Sequence, residues 1–314
     1  MAKAFVMSVA LVTLGVAAAG VWAAAAGNPS ADHLRVRTLT FPYDAGAVFV
    51  MPHEKVPIAV TASKARLFSL EAKQGALTAT APNRWTWEAP GTAGRYALEV
   101  KDPTGKKAFD FNAFVMVPAT EVQKGVLNGF QIGSYPMAPL GGKPSYVAPK
   151  GFIEVTKDNE DTKVSPNFRL KQFLTKQKGG YPKYMVLEER LVYALEAIGK
   201  HLESDGWGAD DIFVMSGYRT PYYNKLLDDT QWSMHQWGRA ADIFLDKNKD
   251  GNMDDFNKDK TVDRNDAAAL AEVVDKLSKA PELADFIGGV GIYAATAAHP
   301  PFVHVDTRPW KARW

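Results

Sequence analysis

The 314-residue chain contains no cysteine. That excludes disulfide staples, a lipidated N-terminal cysteine and every thiolate metal site, so any zinc has to be held by imidazole and carboxylate. Nitrogen ligands are then limited to six histidines: His33, His53, His201, His235, His299 and His304. A surplus of one charge is also missing. The chain sets 37 basic residues against 35 acidic ones, a net charge of +2, which is too small for the strong positive field of a dedicated nucleic-acid binder. Beyond the N-terminal segment, no apolar run is long enough to cross a bilayer.

That N-terminal segment is apolar from Phe5 to Val21 behind Lys3, and Ala24-Ala25-Ala26 precedes Gly27. It reads as a signal peptide over residues 1–26, ending in the small residues a signal peptidase requires, and so points to a periplasmic or secreted protein. An uncleaved membrane anchor is the alternative. A hydrophobic content of 46% suits a folded chain of about two domains.

From about Leu34 to Val117, short alternating apolar runs are broken by turn residues, which predicts an all-β sandwich over residues 27–118. An immunoglobulin-like topology is the commonest outcome of such a pattern. Its clearest piece is a hairpin. Tyr96, Leu98 and Val100 share one face, Asp102-Pro103-Thr104-Gly105 turns the chain, and Phe109, Phe111, Ala113, Val115 and Val117 line the return strand. Residues 119–150 are rich in Gly and Pro and read as a linker or a wrapping arm.

A second domain is expected over residues 151–314. Leu187, Leu191, Ala194, Leu195, Ile198 and Leu202 recur at helical spacing, with a stop at Ser204-Asp205-Gly206. Strands are predicted over Ile212 to Met215, Ala240 to Leu245 and Phe302 to Asp306, with a helix over Ala267 to Leu277. Strands and helices without a regular βαβ repeat indicate an α+β domain.

Within it, Ser233-Met234-His235-Gln236-Trp237-Gly238-Arg239-Ala240-Ala241-Asp242 places an imidazole seven residues before a carboxylate. Far downstream, Phe302-Val303-His304-Val305-Asp306 puts a third candidate ligand on a strand. Three protein ligands with a fourth place left for water or substrate is the arrangement of a catalytic zinc.

This Ser-x-His-x-x-Gly-x-Ala-x-Asp pattern, preceded by Ser216-Gly217-Tyr218-Arg219 and followed by His304-Val305-Asp306, resembles the murein-cleaving zinc D-Ala-D-Ala carboxypeptidase and endopeptidase family. The match is nearest its periplasmic murein-endopeptidase branch. It runs through Ser216 to Asn224, Ser233 to Asp242, Gly288 to Tyr293, Pro301 to Arg308 and Trp314, covering roughly residues 150 to 314. The resemblance implies a hedgehog/DD-peptidase fold, hydrolysis of peptidoglycan peptides, and His235, Asp242 and His304 as zinc ligands. It also implies Arg219 as the residue that steadies substrate or a developing oxyanion, with Ser233 beside it as substrate-binding.

One position departs from that pattern. Many family members carry an acidic general base three residues before the last ligand, where this chain has Pro301. Alternation along a strand puts Asp306 on the same face as His304, as a base or as the partner of a ligand imidazole. His299 is the other candidate base or proton shuttle.

A second metal motif is acidic. Asp255, Asn257, Asp259, Asp263 and Asp266 fall at positions 1, 3, 5, 9 and 12 of a calcium loop, and Asp246, Asn248, Asp250 and Asp254 at positions 1, 3, 5 and 9 of an overlapping register. Lys260 stands where the downstream loop needs Gly, and Asn257 where the upstream one needs an acid. A calcium there would brace the zinc site; a solvated acidic turn is the alternative.

Three readings follow. The first is an exported zinc metallopeptidase cutting peptidoglycan stem peptides or cross-links. The second is a catalytically weak or inactive wall-binding or scaffold protein that keeps the metal site. A calcium-dependent adhesion module is the third.

Overall fold

Alternating apolar and polar residues in the first third of the chain build two β-sheets that face each other. The computed structural model describes residues 32–314 apart from 42, 281–282 and 284–285. The signal segment read over residues 1–26 lies outside the described residues. One sheet has the order Leu39–Phe41, His33–Val36, Lys55–Thr61, Arg84–Glu88, Ala76–Ala81; the other runs Ala45–Val50, Lys107–Val115, Gly94–Lys101, Ser69–Ala72. Their inner faces meet through Phe41 and Phe111, with ring centroids 6.2 Å apart, and through Trp87 and Tyr96 at 6.4 Å.

The hairpin forms as its alternation requires, with Tyr96 opposite Ala113, Leu98 opposite Phe111 and Val100 opposite Phe109. Its turn is closed by the Asp102 carboxylate, which accepts from the N–H groups of Thr104 at 2.9 Å and Lys106 at 3.1 Å. Gly105, at φ 83°, supplies the left-handed residue that the turn needs.

Among the described residues the fold is β-rich, with three α-helices. Helix α1 (Glu189–Leu202) buries Leu191, Leu195, Ile198 and Leu202 at the expected spacing and stops before Gly206, at φ 86°. It is apolar on more than one side, because the sandwich packs against it as well. Tyr193 lies edge-on to Phe41 with centroids 5.4 Å apart, and the Phe49 N–H donates to the Glu189 carboxylate at 3.1 Å. One continuous core therefore runs from the sandwich through α1 into the second half. Each large aromatic buried there contributes about 1.5–3 kcal/mol by leaving water.

The Gly- and Pro-rich stretch is an arm wrapped on the second half, not a free linker. Leu127, Phe130 and Ile132 share a small core with Val117, Phe152 and Tyr184. Further along the arm, Tyr146 packs with Met234, Trp237 and Ala240.

The second half is organised on a five-stranded sheet of order Ile212–Ser216, Ala240–Leu245, Phe302–Asp306, Gly289–Tyr293, Ala312–Arg313. All neighbours are antiparallel except the last pair. Helix α2 (Pro221–Leu226) starts at Thr220, whose hydroxyl accepts from the Tyr223 N–H at 2.9 Å. Helix α3 (Arg264–Leu277) begins three residues earlier than its apolar pattern, since Asp263 and Asp266 form a capping box. The strand Gly289–Tyr293 alternates Val290 and Ile292 with glycines, a run too short to read as a strand from sequence.

Candidate metal centre

Strand register brings two of the three candidate ligands together. Asp242 and His304 are direct cross-strand partners, and on one face of a sheet such partners are nearest neighbours. His235 reaches the same point from the short 3₁₀ turn Met234–Trp237. That turn ends at Gly238, with φ 64°, where a Cβ would lie 2.3 Å from the Val186 carbonyl oxygen. Only glycine fits there, and it returns the chain to the strand that carries Asp242.

The three side chains are buried, and their ligand atoms converge. His235 Nε2 lies 3.2 Å from Asp242 Oδ1 and 3.2 Å from His304 Nδ1, and His304 Nδ1 is 2.9 Å from Asp242 Oδ1. Ligand atoms arranged tetrahedrally about a zinc, each about 2.0 Å from it, stand about 3.3 Å from one another. Among the described residues, this is the one cluster of three such groups whose ligand atoms lie within 4.8 Å of one another.

The outer hydrogen bonds set the tautomers. His235 Nδ1 donates to the Gly217 carbonyl oxygen at 2.6 Å, and His304 Nε2 donates to the Asp306 carboxylate at 3.1 Å. With both imidazoles neutral, these tautomers turn a lone pair inward from each ring, and with Asp242 Oδ1 three electron-pair donors meet. Such a set calls for a cation, and two imidazoles with a carboxylate suit zinc. The electrostatics favour a positive charge at this point, supplied by a proton on His304 or by a metal ion. Burial alone would depress His304, yet its bonds to Asp242 and Asp306 push it up to about 9. Burial would raise Asp242, but His235 and His304 hold it well below the usual carboxylate range. Burial lowers His235, which favours the neutral ligand form.

Asp306 occupies the far edge of His304. It is fully buried and accepts from His304 Nε2, from the Gly289 N–H at 3.1 Å and from Arg308 Nε at 2.8 Å. Burial would raise its carboxyl, while His304 and Arg308 hold it well below the usual range. A Cβ on residue 289 would sit 2.2 Å from its Oδ2, so the approach of that strand depends on Gly289. The alternation argument put Asp306 on the right face; it did not show that the carboxylate meets the nitrogen turned away from Asp242.

Arg219 is tied on three edges. Nε donates to Ser216 Oγ at 3.0 Å, Nη1 to Asp229 Oδ2 at 2.9 Å and Nη2 to Asp242 Oδ2 at 2.6 Å. The three candidate ligands line one cavity of about 700 Å³ together with Arg219, Ser233 and His299. His299 donates from Nδ1 to the Pro300 carbonyl oxygen at 2.9 Å, which leaves Nε2 as a lone-pair nitrogen without a protein partner. His33, His53 and His201 lie elsewhere, on a sandwich strand, in a sandwich turn and on α1.

Two wall residues, Tyr146 and Trp232, lie outside every motif of the sequence reading. Tyr146 and Trp232, with rings 5.4 Å apart, line the cavity together with Tyr293, Phe302 and Trp314. Tyr146 comes from the stretch read as linker or arm. The one local signal was the pair of tyrosines in it: the Tyr135 hydroxyl donates to the Gln236 carbonyl oxygen at 2.7 Å, fastening the arm to the ligand turn.

The Asp-rich stretch forms two loops with one shared pattern. Asp246 accepts from the N–H groups of Asp250 and Gly251, and Asp255 accepts in the same way from Asp259 and Lys260. Asn248 and Asn257 close matching turns onto Asp250 and Asp259. Asp254 accepts from the Lys247 N–H, and Asp266 from Phe256, Asn257 and Asp263. The carboxylates of neither register converge as the histidine cluster does. Lys260 takes the left-handed turn position at φ 73°, where Gly251 stands in the upstream loop.

The chain matches no known family model, and no curated protein matches it.

Proposed function

We propose that the protein is an exported zinc metallopeptidase of the periplasm or cell exterior that hydrolyses peptide bonds in the stem peptides or cross-links of peptidoglycan. On this reading the second half belongs to the murein-cleaving zinc carboxypeptidase and endopeptidase family with its hedgehog/DD-peptidase fold, and the sandwich is immunoglobulin-like. The observation that carries the reading is the convergence of the buried His235, Asp242 and His304 ligand atoms on the wall of a cavity of about 700 Å³. Among the described residues no helix is long and apolar enough to cross a membrane.

His235, Asp242 and His304 would hold the zinc. When bound, the metal supplies Lewis-acid polarisation of a carbonyl and lowers the pKa of a water to about 7. Gly217 and Asp306 fix the two imidazoles in the tautomers that ligation requires. The aromatic walls from Tyr146, Trp232 and Trp314 exclude water and orient the peptide. His299 takes or returns a proton at Nε2, the role left open where Pro301 replaces an acidic residue.

The same Pro301 favours a second reading, a wall-binding protein that keeps the metal with little or no turnover. Digestion of purified sacculi with zinc-loaded protein, followed by product mass, separates the two. Soluble peptides or split cross-links that vanish in His235→Ala support the peptidase. Intact sacculi that pull the metal-bearing protein down with them support the binder.

A further inference from the structure

The two oxygens of Asp242 have different partners. Oδ1 faces both imidazole nitrogens, while Oδ2 takes a 2.6 Å bond from Arg219 Nη2. To give both oxygens to one ion, the carboxylate would have to rotate and break that bond. Arg219 does not yield easily, because a guanidinium is planar and holding two of its edges fixes the third. Ser216 Oγ holds Nε, and Asp229 Oδ2 holds Nη1. Asp229 is itself set in place, since its other oxygen accepts from the Thr230 N–H at 2.7 Å. The Arg219 main chain is also tied to the ligand turn, its N–H donating to the His235 carbonyl oxygen at 3.2 Å.

From this chain of contacts we propose that Asp229, acting through Arg219, is a positioning residue that restricts Asp242 to ligation through a single oxygen. The inference rests on the metal reading above and deepens it. A one-oxygen Asp242 leaves three protein ligand atoms and one open place, the pattern of catalytic rather than closed zinc sites. Arg219 thereby serves the ligand directly, and its two remaining N–H groups are what it retains for substrate.

Metal binding tests the idea without turnover. Asp229→Asn keeps the side-chain volume and the acceptor for Thr230 but turns an amide NH₂ toward the guanidinium. The proposal expects zinc affinity, measured by competition with a chromogenic chelator, to fall about 10–100-fold. The cobalt-substituted protein should lose visible absorbance as Asp242 Oδ2 turns inward and the coordination number rises. Asp229→Glu, which restores a carboxylate, should recover most of both, and Arg219→Lys should reproduce the Asn defect. A purely structural role would lower the melting temperature and leave the cobalt spectrum alone. An Asp229→Asn protein with an unchanged spectrum and zinc affinity within about twofold of the parent overturns the proposal. If the unaltered protein binds neither zinc nor cobalt, the metal reading fails and the proposal with it. A protein that binds metal and shows the Asn and Glu effects, yet leaves sacculi intact, upholds the positioning role while removing the peptidase reading.

Discussion

His304 presents opposite edges to two carboxylates: Nδ1 stands 2.9 Å from Asp242 Oδ1, and Nε2 stands 3.1 Å from Asp306 Oδ2. The two acids therefore differ in kind, one a candidate ligand beside the imidazole and the other an orienting partner behind it. Asp306→Asn should weaken zinc binding about 10–100-fold and lower hydrolysis in step with metal occupancy. The acidic limb of the pH–rate profile should survive once zinc is restored. Loss of that limb in fully metallated protein would return Asp306 to the role of base and displace His299.

Acid sensitivity should have a second centre at the edge of the sheet. Asp275 of α3 pairs with Lys279 at 2.7 Å and with Arg313 of the last strand at 2.7 Å. The bond from Lys279 leads in holding its carboxyl down at about 2, with Arg313 adding to it. A depressed carboxyl contributes stability above its unfolded value, and that contribution is lost as pH falls through the folded one. The melting-temperature gap between parent and Asp275→Asn should be constant above about pH 5 and close as pH falls through about 2 toward about 1. A gap that persists at the acid end would mean the ion pairs are not its source.

Shared burial of Tyr193 predicts that the sandwich and the second half unfold together. Tyr193→Ala removes the ring set against Phe41 and Tyr43 and should cost about 3–5 kcal/mol, the range for large aromatic truncations in a core. Calorimetry of the parent should give one transition, with two appearing, if anywhere, in the Tyr193→Ala protein. Two transitions in the parent would show that the halves fold independently.

The paired Asp loops give a calcium test. Added calcium should raise the melting temperature of chelator-treated protein, and Asp255→Ala with Asp259→Ala should remove the rise. No shift in the parent would make both loops self-satisfied acidic turns, closed by the backbone N–H bonds that their carboxylates already accept.

Much of this protein was determined by local pattern. The hairpin over Gly94–Lys101 and Lys107–Val115, helix α1 and the strands bearing Asp242 and His304 were readable because a period of two or of about 3.6 depends only on near neighbours. The candidate ligand triad was readable from the family resemblance that the motifs around His235, Asp242 and His304 carry, in a chain without cysteine. Tertiary structure alone decided the rest. Residues 119–150 became an arm because Tyr135 and Tyr146 find partners about a hundred residues away, contacts that leave no period behind them. Gly289–Tyr293 became a strand by pairing along Phe302–Asp306, where Val290 and Ile292 join the core and Gly289 leaves room for the Asp306 carboxylate. Alternation placed His304 and Asp306 on one face, but only the register of three strands settled which imidazole nitrogen each carboxylate meets. A pleat fixes the side of a sheet on which a side chain stands; its orientation there is set by neighbours distant in the chain.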